Sequence, residues 1–370
     1  MKIILLVFLK SLMLISYNIS RVFKRKGSYM WDLLIVGKTE KMTMEEEYLI
    51  RKLNKTNIVY KYNKTTERKS LLQKIISYVR FSFILPHTRN VIVYDFCMPL
   101  YAVPKQKEAL YFQLWHSNGI LKDYGMSHFT KKHGEKIAKK LYNIVPIHSS
   151  YDYICVSSDN CIPYIKKAFN CKDDQKFIVT NNASIEILNE EKGKLCYNKE
   201  SNTIRVLIAQ SHDLYEQTNS IYSELSESLT SLSKEKGISI DIQTLIHPLL
   251  AKSPADKIEQ LCNADVLVTD FSTVCFEAEA VGCKVAFLRG AEYGDIGLFY
   301  DVAEKVYKIP SDLAKDILEN KLIDNKLGEY ISKNDRPKMS EIVIETIVHN
   351  CVKSKSSSLN EVIRRQYSNS

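Results

Sequence analysis

Three stretches of this chain place hydroxyl, imidazole or carboxylate side chains where an apolar, strand-like run stops. The last is the richest: Ala264-Asp265-Val266-Leu267-Val268-Thr269-Asp270-Phe271-Ser272-Thr273 runs on into Val274-Cys275-Phe276-Glu277-Ala278-Glu279-Ala280-Val281-Gly282. Val266 to Val268 reads as a buried strand, the run breaks at Thr269-Asp270, and Ser272 and Thr273 fall where a helix must begin. A second buried strand follows at Lys284 to Leu288. A strand, a hydroxyl-rich turn and a helix N-terminus put backbone N–H groups at the C-terminal edge of a parallel sheet. Orphan donors and the helix dipole both favour an anion there, so the chemistry such a turn suits is phosphate handling. The same residues also fit a plain βαβ unit in which Asp270 and Ser272 only cap the helix.

About 150 residues upstream, Gln113-Leu114-Trp115-His116-Ser117-Asn118-Gly119-Ile120-Leu121-Lys122-Asp123-Tyr124-Gly125 follows another strand-like run, Ala109 to Leu114. Between the two lies Leu245-Ile246-His247-Pro248, again a histidine at the end of an apolar strand. Trp-His near mid-chain, then His-Pro, then Thr-Asp-Phe-Ser-Thr, in that order, resemble the CDP-glycerol glycerophosphotransferase family of teichoic acid and capsule polymer synthesis. The resemblance covers roughly residues 28 to 310. The chain departs from the family at two places. Many members have His-Gly after the tryptophan, where this chain has His116-Ser117-Asn118-Gly119. Members also tend to carry Gly-X-Pro-Arg-X-Asp after the first domain, where this chain has Thr180-Asn181-Asn182-Ala183-Ser184-Ile185-Glu186.

The resemblance implies phosphoryl transfer at a diphosphate. An acceptor hydroxyl attacks the phosphorus that bears glycerol, and cytidine monophosphate leaves. That reaction needs a base at the hydroxyl, donors or cations on the diphosphate, and exclusion of water. His116, at a strand end of the first domain, has the near-neutral imidazole suited to taking the proton. His247, from the second domain, fits a hydrogen bond to the diphosphate or the leaving phosphate; a strand-ending histidine held by Pro248 is the other reading. Ser272 and Thr273 offer hydroxyl and backbone donors to the same phosphates. Asp270 fits capping or orienting His247, and Gly119 belongs to the turn that presents His116. Glu277, about one helical turn beyond Ser272, is placed to accept from ribose hydroxyls or to sit in solvent. Lys122 is placed beside an acceptor phosphate or on the open surface. No Asp-x-Asp ends a strand, the histidines show no HExxH spacing, and the resemblance points to metal-independent transfer, so neither metal nor cofactor is expected. His128 and His133, among lysines, read as solvated.

Strands and helices that alternate along the chain must position these turns. Trp31–Val36, Asn57–Tyr62, Asn90–Tyr94, Ala109–Leu114 and Tyr153–Val156 read as strands of the first half. Helices are predicted at Met44–Leu53, Leu71–Phe81 and Asn160–Phe169, with an exposed helix or loop over Ser127–Tyr142. The pattern restarts after a charged stretch at about Glu190–Asn202. Strands Ile204–Ala209 and Ile238–Ile246 and helices Ser220–Lys236 and Ala255–Cys262 lead to the motif strand, and Met339–Val352 reads as a closing helix. This alternation predicts an α/β fold of two doubly wound parallel sheets. The resemblance implies that the two Rossmann-like domains face each other across a cleft, the GT-B type. The expected organisation is an N-terminal segment 1–27, an acceptor-side domain 28–190, a donor-nucleotide domain 203–337, the closing helix 338–352 and a polar tail 353–370.

At 370 residues, with 45% apolar and 26% charged residues, the chain has the size and composition of two globular domains. Its net charge of +9 fits an anionic donor and an anionic or membrane-bound acceptor, as well as a merely solvated basic surface. Nine cysteines without CxxC pairs favour a reducing compartment, with Cys155, Cys262, Cys275 and Cys283 as small core residues. The N-terminus, apolar from Ile3 to Ile15 but broken by Lys10 and Ser11, is followed by Arg21, Lys24, Arg25 and Lys26. It falls short of a bilayer span and shows no cleavage pattern. Two readings remain: a helix in the interface of an anionic membrane, or a helix packed on the first sheet.

The expected function is therefore transfer of glycerol phosphate from CDP-glycerol to a lipid-linked or polymeric cell-surface acceptor, peripherally on the cytoplasmic face of the membrane. A ribitol-phosphate or sugar transferase of the same fold is the enzymatic alternative. A non-catalytic, membrane-associated nucleotide-binding scaffold is the alternative of another class, though a scaffold needs no base. No nucleic-acid motif accompanies the spread-out positive charge, so no nucleic-acid partner is expected.

Overall fold

The computed structural model describes residues 2–25, 28–37, 42–63, 70–115, 118–121, 123–172, 175–192, 202–210, 215–245, 255–289, 299–332 and 338–352. Strands β1 (Trp31–Val36), β2 (Tyr60–Asn63), β3 (Thr88–Val93), β4 (Leu110–Gln113), β5 (Tyr153–Val156) and β6 (Lys176–Val179) form the first sheet. Strands β7 (Thr203–Ala209), β8 (Ser239–Thr244), β9 (Val266–Thr269), β10 (Lys284–Leu288) and β11 (Val306–Tyr307) form the second. The spatial orders are β2-β1-β3-β4-β5-β6 and β8-β7-β9-β10-β11, and every pair is parallel. The two halves repeat one winding pattern with no sequence repeat behind it.

Helices α1 (Lys2–Val22), α2 (Met44–Leu53), α3 (Leu71–Ile84), α4 (Met98–Ala102), α5 (Gly125–His133), α6 (Glu135–Ile144), α7 (Ile162–Phe169) and α8 (Ala183–Lys192) accompany the first sheet. Helices α9 (Tyr215–Lys236), α10 (Ala255–Asn263), α11 (Val274–Ala280), α12 (Phe299–Val302) and α13 (Pro310–Leu318) accompany the second. The closing helix, α14, spans 339–352 and returns to the first sheet.

Both faces of the first sheet are covered, which is why β1 and β3 end in unbroken apolar runs, Leu33-Leu34-Ile35-Val36 and Val91-Ile92-Val93. Leu33, Ile35, Ile92 and Phe112 face α2, α8 and the Met339-Val343-Ile347 stripe of α14. Leu34, Val36, Val91 and Tyr111 face the other way, towards the α1, α3 and α4 side. A capping box starts α2: Thr43 Oγ1 accepts from Glu46 N, and Thr43 N donates to Glu46 Oε2 at 2.9 Å. In the second sheet Val206, Ile208, Val266 and Leu288 pack beneath α9 and α13. Its opposite face, with Leu207, Leu267 and Phe287, belongs to the same apolar cluster as Val91 and Trp115 of the first half. One core is therefore continuous across the two halves.

Several elements differ from the sequence reading. The lysine-rich stretch expected as one exposed helix or loop is two helices, α5 and α6, parted at Gly134 (φ +78°). Strand β2 starts at Tyr60 rather than Asn57, and α3 runs on to Ile84. Strand β6 and helix α8 lie where a motif remnant and the start of a linker were read; α8 ends in Asn189-Glu190-Glu191-Lys192, which looks like linker in composition alone. Helices α4, α12 and α13 and strand β11 were not predicted at all.

The N-terminus is also corrected. Lys10 and Ser11 do not break the helix: Ile3–Val22 is long and apolar enough to cross a membrane by length and composition. Lys10 Nζ instead donates to Ile144 O, and Ser11 Oγ to Val7 O. One stripe of α1, made of Leu9, Met13, Ser16, Tyr17 and Ser20, is buried. Ser16 and Ser20 donate to the carbonyls of Val79 and Phe83 on α3. The other stripe, including Ile4, Phe8, Ile15, Ile19 and Val22, is exposed, and so are Leu71, Leu72, Ile76 and Phe83 of α3. Lys24 turns inward, donating to Gln106 Oε1 and lying 3.7 Å from the centroid of the Tyr29 ring. Burial pushes its pKa down to about 8.

Candidate functional site

All three motif stretches follow the C-terminal ends of parallel strands. Strand β4 ends at Gln113, and the Trp115–Gly119 turn begins two residues later. Strand β9 ends at Thr269, and Asp270–Thr273 forms the turn into α11. Leu245 extends β8 by one more bond, Leu245 N to Ile208 O at 2.8 Å. His116, Ser117, Lys122 and His247 lie outside the described residues.

The first turn is held by its neighbours on every side. Trp115 has a left-handed backbone, φ +54°, which costs a non-glycine residue about 1–2 kcal/mol. Its N–H donates to Gln113 Oε1 at 3.1 Å, and its indole meets Tyr124 and Phe169 edge-on. Asn118, 1% exposed, donates from Nδ2 to Asn182 Oδ1 and Ser184 Oγ and accepts at Oδ1 from Asn182 N. Gly119 N donates to Ser157 Oγ at 2.8 Å, and Ser157 Oγ donates to Tyr330 O at 2.7 Å. Ser332 closes the lattice, its Oγ donating to Ser157 O and its N to Asn181 Oδ1. The Thr180–Glu186 stretch, which lacks glycine, proline and arginine, thus serves this turn with asparagine amides.

The second turn is simpler. Asp270 is fully buried and accepts at Oδ1 from Phe271 N at 2.6 Å, while Thr269 Oγ1 donates to Ala209 O on the neighbouring strand. Ser272 and Thr273 are half-buried. Thr273 is the N-cap of α11, but its backbone is already helical (φ −66°) and its side chain makes no capping bond. The expectation that Asp270 and Ser272 cap the helix is therefore corrected: Asp270 braces its own turn, and Thr273 holds the cap position. Helix α11 has seven residues, so backbone N–H groups and hydroxyls of the turn, more than a macrodipole, are what it offers an anion. Glu277 is buried and pairs with Lys257 of α10, Oε2 to Nζ 2.5 Å. Burial opposes the charge on Lys257, but the carboxylates of Glu277 and of Glu45 in α2 outweigh it and raise its pKa.

The first turn meets the helix that leaves the second. The Phe276 ring of α11 lies against Gly119, whose φ is +62°, so closely that a methyl group there would overlap the ring. Further ties join α8 to both halves. Lys192 Nζ donates to Val281 O at 2.7 Å, and the Glu186 carboxylate accepts from Ser340 N and Oγ at the start of α14. Of the residues singled out in the sequence, Gly119 thus lies against α11, the helix that carries Glu277 and follows the Asp270–Thr273 turn. Sequence reasoning missed Gln113, Asn118, Asn182, Ser157 and Lys257. Gln113 and Asn118 lie inside the Trp-His stretch and Asn182 inside the Thr180–Glu186 stretch, whereas Ser157 and Lys257 fall outside both.

The fold has known counterparts. A structure of the wall teichoic acid polymerase TagF superposes with a TM-score of 0.61 at 15% identity, over 92% of this chain and 94% of that one, so the fold is of the two-domain, Rossmann-like GT-B type. The teichoic acid glycerol-phosphate primase of Bacillus subtilis is 25% identical over 232 residues, 57% of this chain and 58% of the primase. The teichoic acid ribitol-phosphate primase of Bacillus spizizenii is 39% identical over 87 residues, 24% of this chain and 22% of that primase. The matches thus span less than two thirds of either primase. The family model for CDP-Glycerol:Poly(glycerophosphate) glycerophosphotransferase matches residues 33–279, two-thirds of the chain, and the chain belongs to that family.

Proposed function

We propose that this protein transfers glycerol phosphate from CDP-glycerol to a hydroxyl of a teichoic acid type acceptor, lipid-linked or polymeric, and releases CMP. The observation that carries the reading is the contact of Gly119, three residues after His116, with Phe276 of α11, the helix that begins directly after the Ser272-Thr273 turn. A base from one domain and phosphate donors from the other are what an in-line transfer between two substrates needs. In this reading His116 accepts the proton as the acceptor oxygen forms its bond to the glycerol-bearing phosphorus. The bridging P–O bond breaks, and CMP leaves as an anion stabilised by the Ser272-Thr273 turn and His247. Glu277, with Lys257 beside it, is assigned to the ribose, and Lys122 to an acceptor phosphate. Family membership and the relatives' names support the substrate class; a TagF variant soaked with CDPG supports a cytidine diphosphate donor.

The ribitol-phosphate primase relative favours a second reading, in which CDP-ribitol is the donor. One experiment tests both: the pure protein is incubated with CDP-glycerol, CDP-ribitol or UDP-sugars together with a bacterial membrane extract. CMP released from CDP-glycerol, faster than from CDP-ribitol, is the expected result. Release only from CDP-ribitol moves the donor, and nucleoside diphosphate from a UDP-sugar overturns phosphoryl transfer.

We infer further that the protein works at the cytoplasmic face of the membrane, the exposed apolar stripes of α1 and α3 resting in the lipid interface. Arg21 and Arg25, near the end of α1, suit an anionic surface, each contributing about 1 kcal/mol. Ile4, Phe8 and Ile15 changed together to serine should float less with anionic liposomes yet release CMP from soluble acceptor normally. Unchanged flotation would mean that lipid does not cover this face.

A further inference from the structure

Behind the Trp115 turn lies a closed circuit of buried side chains that the proposed chemistry leaves unused. Gln113 is 0% exposed, and both ends of its amide are engaged. Oε1 accepts from Trp115 N, while Nε2 donates to Asp95 O at 3.1 Å and to Tyr151 Oη at 2.9 Å. Tyr151 Oη also bonds to Tyr101 Oη and lies 3.2 Å from His148 Nδ1. His148 has a left-handed backbone, φ +62°, and its ring stacks on Phe169 with centroids 4.0 Å apart and planes 14° apart. Phe169 returns the circuit to Trp115 through an edge contact at 5.4 Å.

Two non-glycine residues in unfavourable backbone conformations, Trp115 and His148, are thus locked to each other twice. One arm is polar, through Gln113 and Tyr151; the other is aromatic, through Phe169. A core that only needed filling would place apolar groups here, since a buried network half satisfied is worse than none. Strain held by surrounding structure is characteristic of sites where direction matters. Burial holds the His148 imidazole neutral, its pKa pushed down to about 3, so no charge in the circuit varies in the ordinary working range of pH.

We propose that Gln113, held by Tyr151 and His148, is a positioning residue that fixes the backbone of Trp115 and so aims the residue that follows it, His116, at the acceptor hydroxyl. This rests on the reading of His116 as the base. Misplacing a reacting group by about an ångström costs on the order of 100-fold in rate without weakening substrate binding.

The test is a double-mutant cycle on the full chain with CDP-glycerol and membrane extract. Gln113→Leu should lower kcat about 10- to 100-fold, with KM for CDP-glycerol changed by less than about threefold. Tyr151→Phe, which removes one hydroxyl and keeps the ring, should lower kcat in the same sense by less, and it carries the test if Gln113→Leu does not fold. In a His116→Ala chain neither change should lower the residual rate further. An equal loss in that background, or a raised KM with kcat intact, overturns the positioning role. Trp31 and Trp115 are the only tryptophans, so a Trp31→Phe chain reports on Trp115 alone. Its emission should shift with Gln113→Leu and with Tyr151→Phe; no shift overturns the proposal whatever the rate does. Wild-type turnover in His116→Ala by itself overturns the base reading, with the Trp115 signal still judging whether Gln113 holds the turn.

Discussion

The two turns linked by the contact of Gly119 with Phe276 are built by opposite means. The first stands on buried amides, hydroxyls and packed rings: Trp115 bonds to nearby Gln113 and packs edge-on against distant Phe169, while Asn118 and Gly119 bond to Asn182 and Ser157, both distant in sequence. The second stands on an apolar floor that includes Leu267, Phe271 and Phe276, with Asp270 bonded to its own chain neighbour and Thr269 to the next strand. A phosphate can be met by several backbone N–H groups at once, so a turn that offers them tolerates small displacements. Proton abstraction depends on one nitrogen at one angle, and the elaborate support lies on the side assigned to it.

If that division is right, the largest effect belongs to the first turn. His116→Ala should lower turnover about 100- to 10,000-fold while donor affinity by calorimetry stays near that of the wild type. Wild-type-like turnover would leave the first turn without its assigned task. Next comes the junction itself. Gly119→Ala places a side chain at φ +62° and against the Phe276 ring, and should cost about 1–2 kcal/mol of stability for the backbone and about 1–3 for the overlap. Phe276→Leu in the same chain should recover the second part only, read as the urea midpoint; no recovery would mean the ring is not what Gly119 accommodates.

On the second turn, Ser272→Ala and His247→Ala should each weaken CDP-glycerol binding about 3- to 10-fold, the worth of one or two hydrogen bonds, and slow turnover as well. Unchanged donor affinity in both would remove the phosphate reading from this turn and the contrast with it. The smallest effect is in pH dependence. Between pH 6.5 and about 3 the unfolded chain binds a proton at His148 that the folded chain refuses. Its contribution to stability is therefore lost as pH falls, by about 1.4 kcal/mol per unit once well below 6.5. His148→Asn keeps a residue that accepts the left-handed backbone but does not titrate. Its stability should fall less steeply from pH 6.5 to about 5 than that of the wild type. Equal slopes would mean that this imidazole is not held neutral.

The alternation of strand and helix, and the strand ends that precede the motif stretches, were legible because both rest on local pattern. A buried strand needs a run of apolar residues, and Val266 to Val268 or Leu33 to Val36 supplies one. The supports were not legible, because they are made across long separations. Nothing in Asn182 announces a bond to Asn118, and nothing in Gln113 tells that Tyr151 lies above it. Helix α8 escaped because its polar end resembles a linker in composition, while its function is to join the halves through Glu186 and Lys192. The N-terminus was read as a helix, but the length of its apolar run was underestimated because Lys10 and Ser11 interrupt the hydropathy, whereas a helix satisfies both side chains against carbonyls.

The return of α14 to the first sheet has a consequence for biosynthesis. Leu33, Ile35 and Ile92 share their face with Met339, Val343 and Ile347, and Asn90 and Arg89 bond to Asn350 and Cys351. Those partners leave the ribosome after both sheets. Throughout synthesis of the second sheet the first therefore stands with part of one face uncovered, a nascent chain with an open apolar groove and two buried-to-be polar groups in water. That face is sealed only when α14 emerges, so a chain stopped short of residue 339 should be recognised by chaperones and proteases as unfinished, even with both sheets and both turns already made.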